Sequence, residues 1–194
     1  MHGPAIYLTG VPGVGKTSIA AEIEERTHDV EVLRYSDLLM TYMADHGDAI
    51  SHRDLRQASG ARITPEIVSA VDLILVERID AARHRGSALI DSHAVTAEPY
   101  GLRVTPYGTN ELVRLGLTGI VCLVADLGVI EERRAAQDVG RVEQSRSDID
   151  RHQRAQEAVA VAYACGLGVP LYLVDASGNI EDVVQQLVPL VGIG

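Results

Sequence analysis

Residues 10–17 read GVPGVGKT, directly after the apolar run AIYL (5–8) and at the head of the helical pattern GKTSIAAEIEERTH. This matches G-x-x-x-x-G-K-[ST], and no other feature constrains the fold as strongly: a strand must end at the glycines and a helix must begin beside Lys16. Glycines let the backbone curl until its N–H groups face a phosphate chain, and the helix N-terminus adds partial positive charge. With average composition the pattern arises by chance in on the order of 1% of chains this long. Lys16 is also the chain's single lysine; the other basic residues are arginines. An ammonium on a thin stem fits a pocket walled by main chain, whereas a guanidinium fork is too wide. Gly10, Gly13, Val14, Gly15, Lys16, Thr17 and Ser18 are therefore the expected ATP-binding residues. Lys16 would reach the β- and γ-phosphates, Thr17 would place its hydroxyl on Mg²⁺, and Ser18 would meet the α-phosphate.

The rest of the chain supplies the setting that such a loop needs. Four further apolar runs, VEVLRY (30–35), ALIDSH (88–93), IVCLVA (120–125) and LYLVDA (171–176), lack clean alternation and suit strands buried on both faces of a parallel sheet. Helical patterns lie between them. The longest, TPEIVSAVDLILVERIDAARHRG, carries Thr64 as cap, Pro65 in the first turn and Gly86 past the end. Others are LLMTYMADHG, with Asp37 as its cap, GVIEERRAAQ, DIDRHQRAQEAVAVAYACG ending at Gly166, and NIEDVVQQLVPLV, which Pro189 should stop. Strand and helix in alternation predict a doubly wound α/β fold with a five-stranded parallel sheet, as a single domain over 1–194. Residues 36–63 and 138–148 do not serve the alternation; the first is expected to be an acceptor-binding insertion and the second a short lid.

Composition narrows the partners. The formal charge is −10 over 194 residues, which repels polyanions, and no basic face or tail is present, so no nucleic-acid partner is expected. No apolar run approaches the roughly 20 residues of a membrane span. No basic start leads into an apolar secretory leader, so the cytoplasm is the default location. Cys122 and Cys165 are too few for a disulfide framework, and both read as small buried hydrophobes.

What is missing also selects among phosphate-loop proteins. A guanine-specific switch needs Asn-Lys-x-Asp, and there is no second lysine. An AAA-type motor wants an apolar strand ending in Asp-Glu, and neither ALIDSH nor IVCLVADL ends so. Small kinases are the largest group left.

Five pieces of the chain resemble the archaeal-type adenylate kinases: TGVPGVGKT (9–17), HRDLRQ (52–57), LIDSH (89–93), ERRAAQD (132–138) and IDRHQRAQEAVAVAYACG (149–166). Their order and spacing carry the resemblance over nearly the whole chain. It implies a P-loop kinase core, Mg-ATP as donor, a nucleoside monophosphate as acceptor, and it is compatible with a homo-oligomer. It departs from the family where Arg-x-Arg-Asp would follow the paired arginines, since only Arg141 and Arg146 are available, and after Asp91, where the stretch becomes AEPYGLRVTPYG.

Phosphoryl transfer asks mainly for position and positive charge. Arg133, Arg134 and Arg141 are the expected phosphate-facing arginines, with Arg146 a further candidate, because a guanidinium fork pairs two oxygens at once. The opposing reading makes EERRAAQ a solvated helix face. Arg53 and Arg56 would grip the acceptor's phosphate. Asp91, at a strand end, would hold a water of the Mg²⁺ shell, with Asp126 a competing metal candidate. His93, two residues on, would share its direction and touch the acceptor. Asp37 is a further acceptor candidate beside its capping role. A phosphate acceptor, with its second pKa about 6, needs no general base, whereas a hydroxyl usually needs a carboxylate. The primary expectation is a nucleoside monophosphate kinase acting on a small-molecule phosphate acceptor. A kinase for a hydroxyl-bearing acceptor and an ATPase serving assembly or regulation stand as alternatives.

Overall fold

The computed structural model describes residues 2–51, 63–136 and 143–192. Strand β1 (Ala5–Gly10) is buried at every residue and occupies the centre of the sheet. On one side it pairs with β3 (Ser87–Asp91), which pairs in turn with β2 (Val30–Arg34). On the other side it pairs with β6 (Gly119–Val124), followed by β7 (Leu171–Asp175). All four pairings are parallel, in the order β2-β3-β1-β6-β7. The five-stranded doubly wound sheet expected from the apolar runs is therefore present.

Helices cover both faces because each apolar stripe needs a partner. On one face, Ile19 and Ile23 of α1 (Lys16–Arg26) and Val183, Val184 and Leu187 of the C-terminal helix pack on Ile6, Leu8 and Val121. On the other, Leu75 and Ile79 of α3 (Pro65–Arg85) and Ala160 and Tyr163 of a long later helix pack on Tyr7, Ile90 and Ile120. A smaller core joins Leu39 and Met43 of α2 (Tyr35–Asp45) to Val71 of α3. Thr64 caps α3 by accepting from the Ile67 N–H at 3.4 Å. Gly86 ends it for steric reasons, since a Cβ there would lie 2.0 Å from the Asp29 carbonyl oxygen.

Several local expectations need correction. Asp37 does not cap α2: the helix begins two residues earlier at Tyr35, and Asp37 lies in its first turn. A carboxylate there still complements the helix dipole. Pro189 does not stop the last helix, α7 (Ile180–Val191), which continues two residues beyond it. The carbonyl that loses its partner belongs to Gln185, which is exposed, so water can satisfy it. Helix α6 (Arg146–Leu167) starts before Asp148 because Ser145 and Asp148 form a reciprocal capping box, and Gly168 rather than Gly166 closes it in a left-handed conformation. Cys165 is exposed on the outer side of α6, while Cys122 is buried.

The stretch after Asp91 forms elements absent from the sequence reading. Strands β4 (Val95–Glu98) and β5 (Gly101–Val104) make an antiparallel hairpin around Pro99 and Tyr100, with Gly101 at φ 133°. A short helix, α4 (Thr109–Arg114), follows. Helix α5 (Leu127–Ala136) then leaves β6 and carries the paired arginines. Among the described residues no helix is long and apolar enough to cross a membrane.

Candidate active site

The C-terminal ends of β1, β3 and β6 lie side by side at the centre of the sheet, where the chain order reverses and α/β sheets receive ligands. The turn leaving β1 has left-handed glycines at Gly10 (φ 151°), Gly13 (95°) and Gly15 (105°). A Cβ at Gly10 would come 2.9 Å from the Leu123 carbonyl oxygen of β6, and one at Gly13 would come 2.6 Å from Cγ of Arg134. Only glycine fits this curl, which folds back on the sheet and on α5. Lys16 opens α1, and its Nζ pairs with the Asp91 carboxylate at the end of β3, both largely buried. Thr17 and Ser18 are exposed beside it.

The paired arginines differ in their contacts. Arg133 donates from Nη1 to the carbonyls of Val14 (2.8 Å) and Ala176 (2.9 Å) and from Nη2 to that of Gly178 (3.4 Å). Its guanidinium thus ties the phosphate loop to the turn after β7. Arg134 donates to Oε1 of Gln144 at 2.5 Å, and partial burial lowers its pKa. Arg146 pairs with Glu131 at 2.9 Å on an exposed surface, in the first turn of α6 rather than in a lid. Arg53, Arg56 and Arg141 lie outside the described residues.

One cleft of ≈1090 Å³ runs from the loop toward α2 and α3. Lys16, Asp91, His93, Arg133 and Arg134 line it, and so does Asp37. Asp126 is not in its lining and is exposed beyond β6. β3 ends at Asp91, so strand alternation does not place His93. Its ring is exposed to the cleft interior yet ringed by protein. Desolvation first, then the Lys16 ammonium and the His152 ring, push its pKa down to about 3. The lowered pKa leaves the His93 ring neutral near pH 7.

Beneath the cleft, α6 presents polar side chains that sequence reading missed. His152, fully buried, lies 3.1 Å through Nε2 from the Val95 carbonyl. Desolvation, opposed by that hydrogen bond, lowers its pKa, so the neutral ring donates from Nε2. One turn on, Gln156 accepts from the Val95 N–H (3.2 Å) and donates to Thr9 Oγ1 (2.8 Å). Gln153 holds both main-chain groups of Ala125, at 3.1 and 3.3 Å. One helix face thus fixes β1, β6 and the hairpin relative to one another. The i, i+4 spacing of His152 and Gln156 on an otherwise apolar stripe was the available signal.

Across the cleft, tyrosines take the place of the missing Phe and Trp. Tyr107 lies 6.4 Å from Tyr7, 6.5 Å from Tyr35 and 6.0 Å from Tyr163, ring centre to ring centre. The Tyr35 hydroxyl donates to Asp72 Oδ1 at 2.9 Å. Away from the cleft, His2, Asp80 and His84 come close enough to share an ion, all exposed.

A family model described as an AAA domain matches residues 9–152. The adenylate kinase of Pyrococcus abyssi (strain GE5 / Orsay) is 26% identical over 195 residues, covering 97% of this chain and 95% of that protein. That of Methanopyrus kandleri is 25% identical over 194 residues, covering 97% and 98%. The resemblance to archaeal adenylate kinases thus extends over nearly the full length. The shikimate kinase of Bacteroides thetaiotaomicron superposes with a TM-score of 0.57 at 18% identity, over 96% of this chain and 97% of that one, a likeness of fold. The missing Asp-Glu pair, which argued against an AAA-type motor, stands beside a family model of that description; the match is to the domain.

Proposed function

The chain belongs to the AAA-domain family, and from that premise we propose that it is an ATP-dependent phosphotransferase that moves the γ-phosphoryl of ATP to AMP or a related nucleoside monophosphate. The observation that carries this reading is the single cleft. Its ≈1090 Å³ lies at the top of the roughly 300–1,000 Å³ range of small-ligand pockets, which suits a donor and an acceptor held side by side. A phosphate cradle lies at one side and a wall of tyrosine, serine and carboxylate side chains at the other. Direct transfer needs both ligands in one cavity, with reacting atoms about 3–3.5 Å apart.

In this reading, main-chain amides from Gly10 to Ser18, Gly13, Val14 and Gly15 among them, hold the triphosphate. Lys16 leaves Asp91 for the β- and γ-phosphates. The Thr17 hydroxyl, and Asp91 through water, are hard oxygen donors of the kind Mg²⁺ takes, set beside a loop packed so closely on β6 that a Cβ at Gly10 would meet the Leu123 carbonyl oxygen. Bound there, Mg²⁺ would neutralise charge on the phosphate oxygens. Arg133 holds the loop in shape, and Arg134 and Arg141 supply positive charge to the moving group. Arg53, Arg56, Asp37 and the neutral His93 serve the acceptor. With Lys16 drawn to the phosphates, Asp91 is left to the metal's water rather than to an acceptor hydroxyl, which suits an acceptor that needs no general base.

The test is a transfer assay with Mg-ATP and AMP, CMP, UMP or GMP, beside shikimate and a hexose as alcohol acceptors, with products resolved by phosphorus NMR. Formation of a nucleoside diphosphate is the expected result. Transfer to an alcohol alone, or hydrolysis of ATP without transfer, overturns it.

A further inference from the structure

The α2–α3 side of the cleft has a chemistry that phosphate handling does not use. Asp72 lies half-buried on α3 and lines the cleft. Its Oδ1 accepts from Tyr35, and among the described residues no other hydrogen bond reaches the carboxylate. Glu111, on α4, faces the same space and acts on Asp72 through charge. Burial, then the Glu111 charge, raise the Asp72 pKa against the lowering effect of Tyr35. A smaller hollow of ≈130 Å³ continues past Asp72 and Glu111, with Arg114 at its rim.

A second observation comes from the strand below. Tyr7 lines the same cleft and is 1% exposed. Ser92 and Thr9 lie close to its hydroxyl, but neither completes a hydrogen bond, and the oxygen is the one buried side-chain polar atom without a partner among the described residues. An unpaired buried hydroxyl is costly to the fold, and a ligand atom bonded to it would remove that cost. Through Tyr107 this hydroxyl belongs to the same ring cluster as Tyr35 and Asp72.

We propose that Asp72 is a specificity-determining residue that accepts a hydrogen bond from an exocyclic amino group on the acceptor's ring. The inference rests on the phosphoryl-transfer reading and adds the class of acceptor. Tyrosine rings provide a wall for a planar heterocycle. Two carboxylates, Asp72 and Glu111, welcome N–H₂ and repel a carbonyl oxygen at the same place. Uracil and hypoxanthine present carbonyls on the edge where cytosine and adenine carry the amine. A site built around a polar contact rejects the analogue that lacks it more strongly than an apolar pocket does.

The experiment measures kcat/KM with CMP against UMP and with AMP against IMP, and with GMP, whose C6 carbonyl matches that of IMP, as a further carbonyl-bearing purine, at saturating Mg-ATP. The expected result is an amino-bearing acceptor preferred at least tenfold within a pair. In Asp72→Asn the preference should fall to within threefold, with the KM for ATP unchanged within twofold. Tyr35→Phe keeps the carboxylate and removes its protein donor, so it should hold or widen the preference. UMP or IMP used as well as the amino partner, an unchanged ratio in Asp72→Asn, or a collapsed ratio in Tyr35→Phe overturns the proposal. Turnover of no monophosphate at all sinks the phosphoryl-transfer reading first and this inference with it, an outcome distinct from equal use of all five.

Discussion

At the phosphate-loop end of the cleft, the lining is a tight main-chain turn with three left-handed glycines and one ammonium. At the α2–α3 end it is side chains: Asp37 from α2, Asp72 from α3, Arg103 from the hairpin and Glu111 from α4. The first end is contiguous in sequence and tolerates almost no substitution, because a Cβ at Gly10 meets a carbonyl oxygen. The second is assembled from distant pieces, each of which can change alone. One end can stay fixed for the triphosphate while the other is retuned for a different acceptor, which is how one fold serves many kinases.

That contrast breaks first at Lys16. Lys16→Ala removes the one ammonium that can follow the transferring group, and the expected loss in kcat is about 10²–10³-fold or more, the scale of a preorganised charge-stabilising donor. Rapid-quench measurement of a single turnover checks it. A loss below tenfold would mean that the loop amides alone suffice and that the loop end is less specialised than its geometry suggests.

Arg133 sharpens the comparison next. Its three carbonyl contacts tie the loop to the turn after β7, and Arg133→Ala tests whether they position the loop for ATP. A charge-assisted hydrogen bond is worth about 1.5–3 kcal/mol, and if loop misplacement costs ATP the equivalent of one of the three, Arg133→Ala should lower kcat/KM for ATP about 10- to 100-fold, with a raised KM. Arg133→Lys should recover little, because an ammonium cannot span three carbonyls with the planar fork. Full recovery by lysine would show that charge, and not loop shape, is what Arg133 supplies.

The two ends were unequally legible in the sequence. The loop announced itself because its motif is local and each residue type has a steric reason. The five core strands showed as apolar runs for the same kind of reason: burial on both faces removes polar residues from the segment. The hairpin did not show, because residues 95–104 are half-exposed and mix Thr, Glu and Arg with Val and Leu. Pro99-Tyr100-Gly101 was a turn signal that could have found it. The resting partners of Arg133 did not show either, since spacing cannot reveal that carbonyls from two other loops take up its guanidinium. The Tyr7–Tyr35–Tyr107–Tyr163 cluster joins residues from four separate elements or loops, and no local pattern predicts that.

Gln156 and His152 bridge the two ends, and they offer a middle-sized effect on stability. Gln156→Leu strands the buried Val95 N–H, which should cost about 1–3 kcal/mol. At about 2–4 °C per kcal/mol for a chain of this size, Tm should fall roughly 2–12 °C. His152 adds a pH dependence. Its folded-state pKa lies below the ordinary value, so its contribution is complete above about pH 6.5 and is lost as pH falls toward the folded pKa. Tm should decline between pH 7.5 and 5, and His152→Gln, which can still donate to Val95, should flatten that decline. His93 acts in the same direction, weakened by its opening to the cleft. Asp72 acts in the opposite direction, because its raised pKa makes protonation favourable to the folded state, but only in the carboxylate range below about pH 5. An equally steep decline in His152→Gln would place the titration elsewhere.

The smallest effect is expected at Arg146, and it tests where the loop end stops. Arg146 pairs with Glu131 across an exposed surface, with the arginine side chain 61% accessible. Such pairs contribute about 0–1 kcal/mol, and less as salt rises. Arg146→Ala should therefore shift Tm by no more than about 4 °C and alter kcat by less than twofold, provided that the Glu131 pair is its whole role. Arg134, by contrast, lines the cleft, and Gln144 holds it there within reach of His152, so Arg134→Ala should exceed Arg146→Ala in its effect on kcat. The comparison of the two variants decides how far along the chain the phosphate-facing charge extends. A tenfold loss in Arg146→Ala with an unchanged Tm would carry it past α5 into the first turn of α6, and the surface pair with Glu131 would then be a resting contact that turnover breaks.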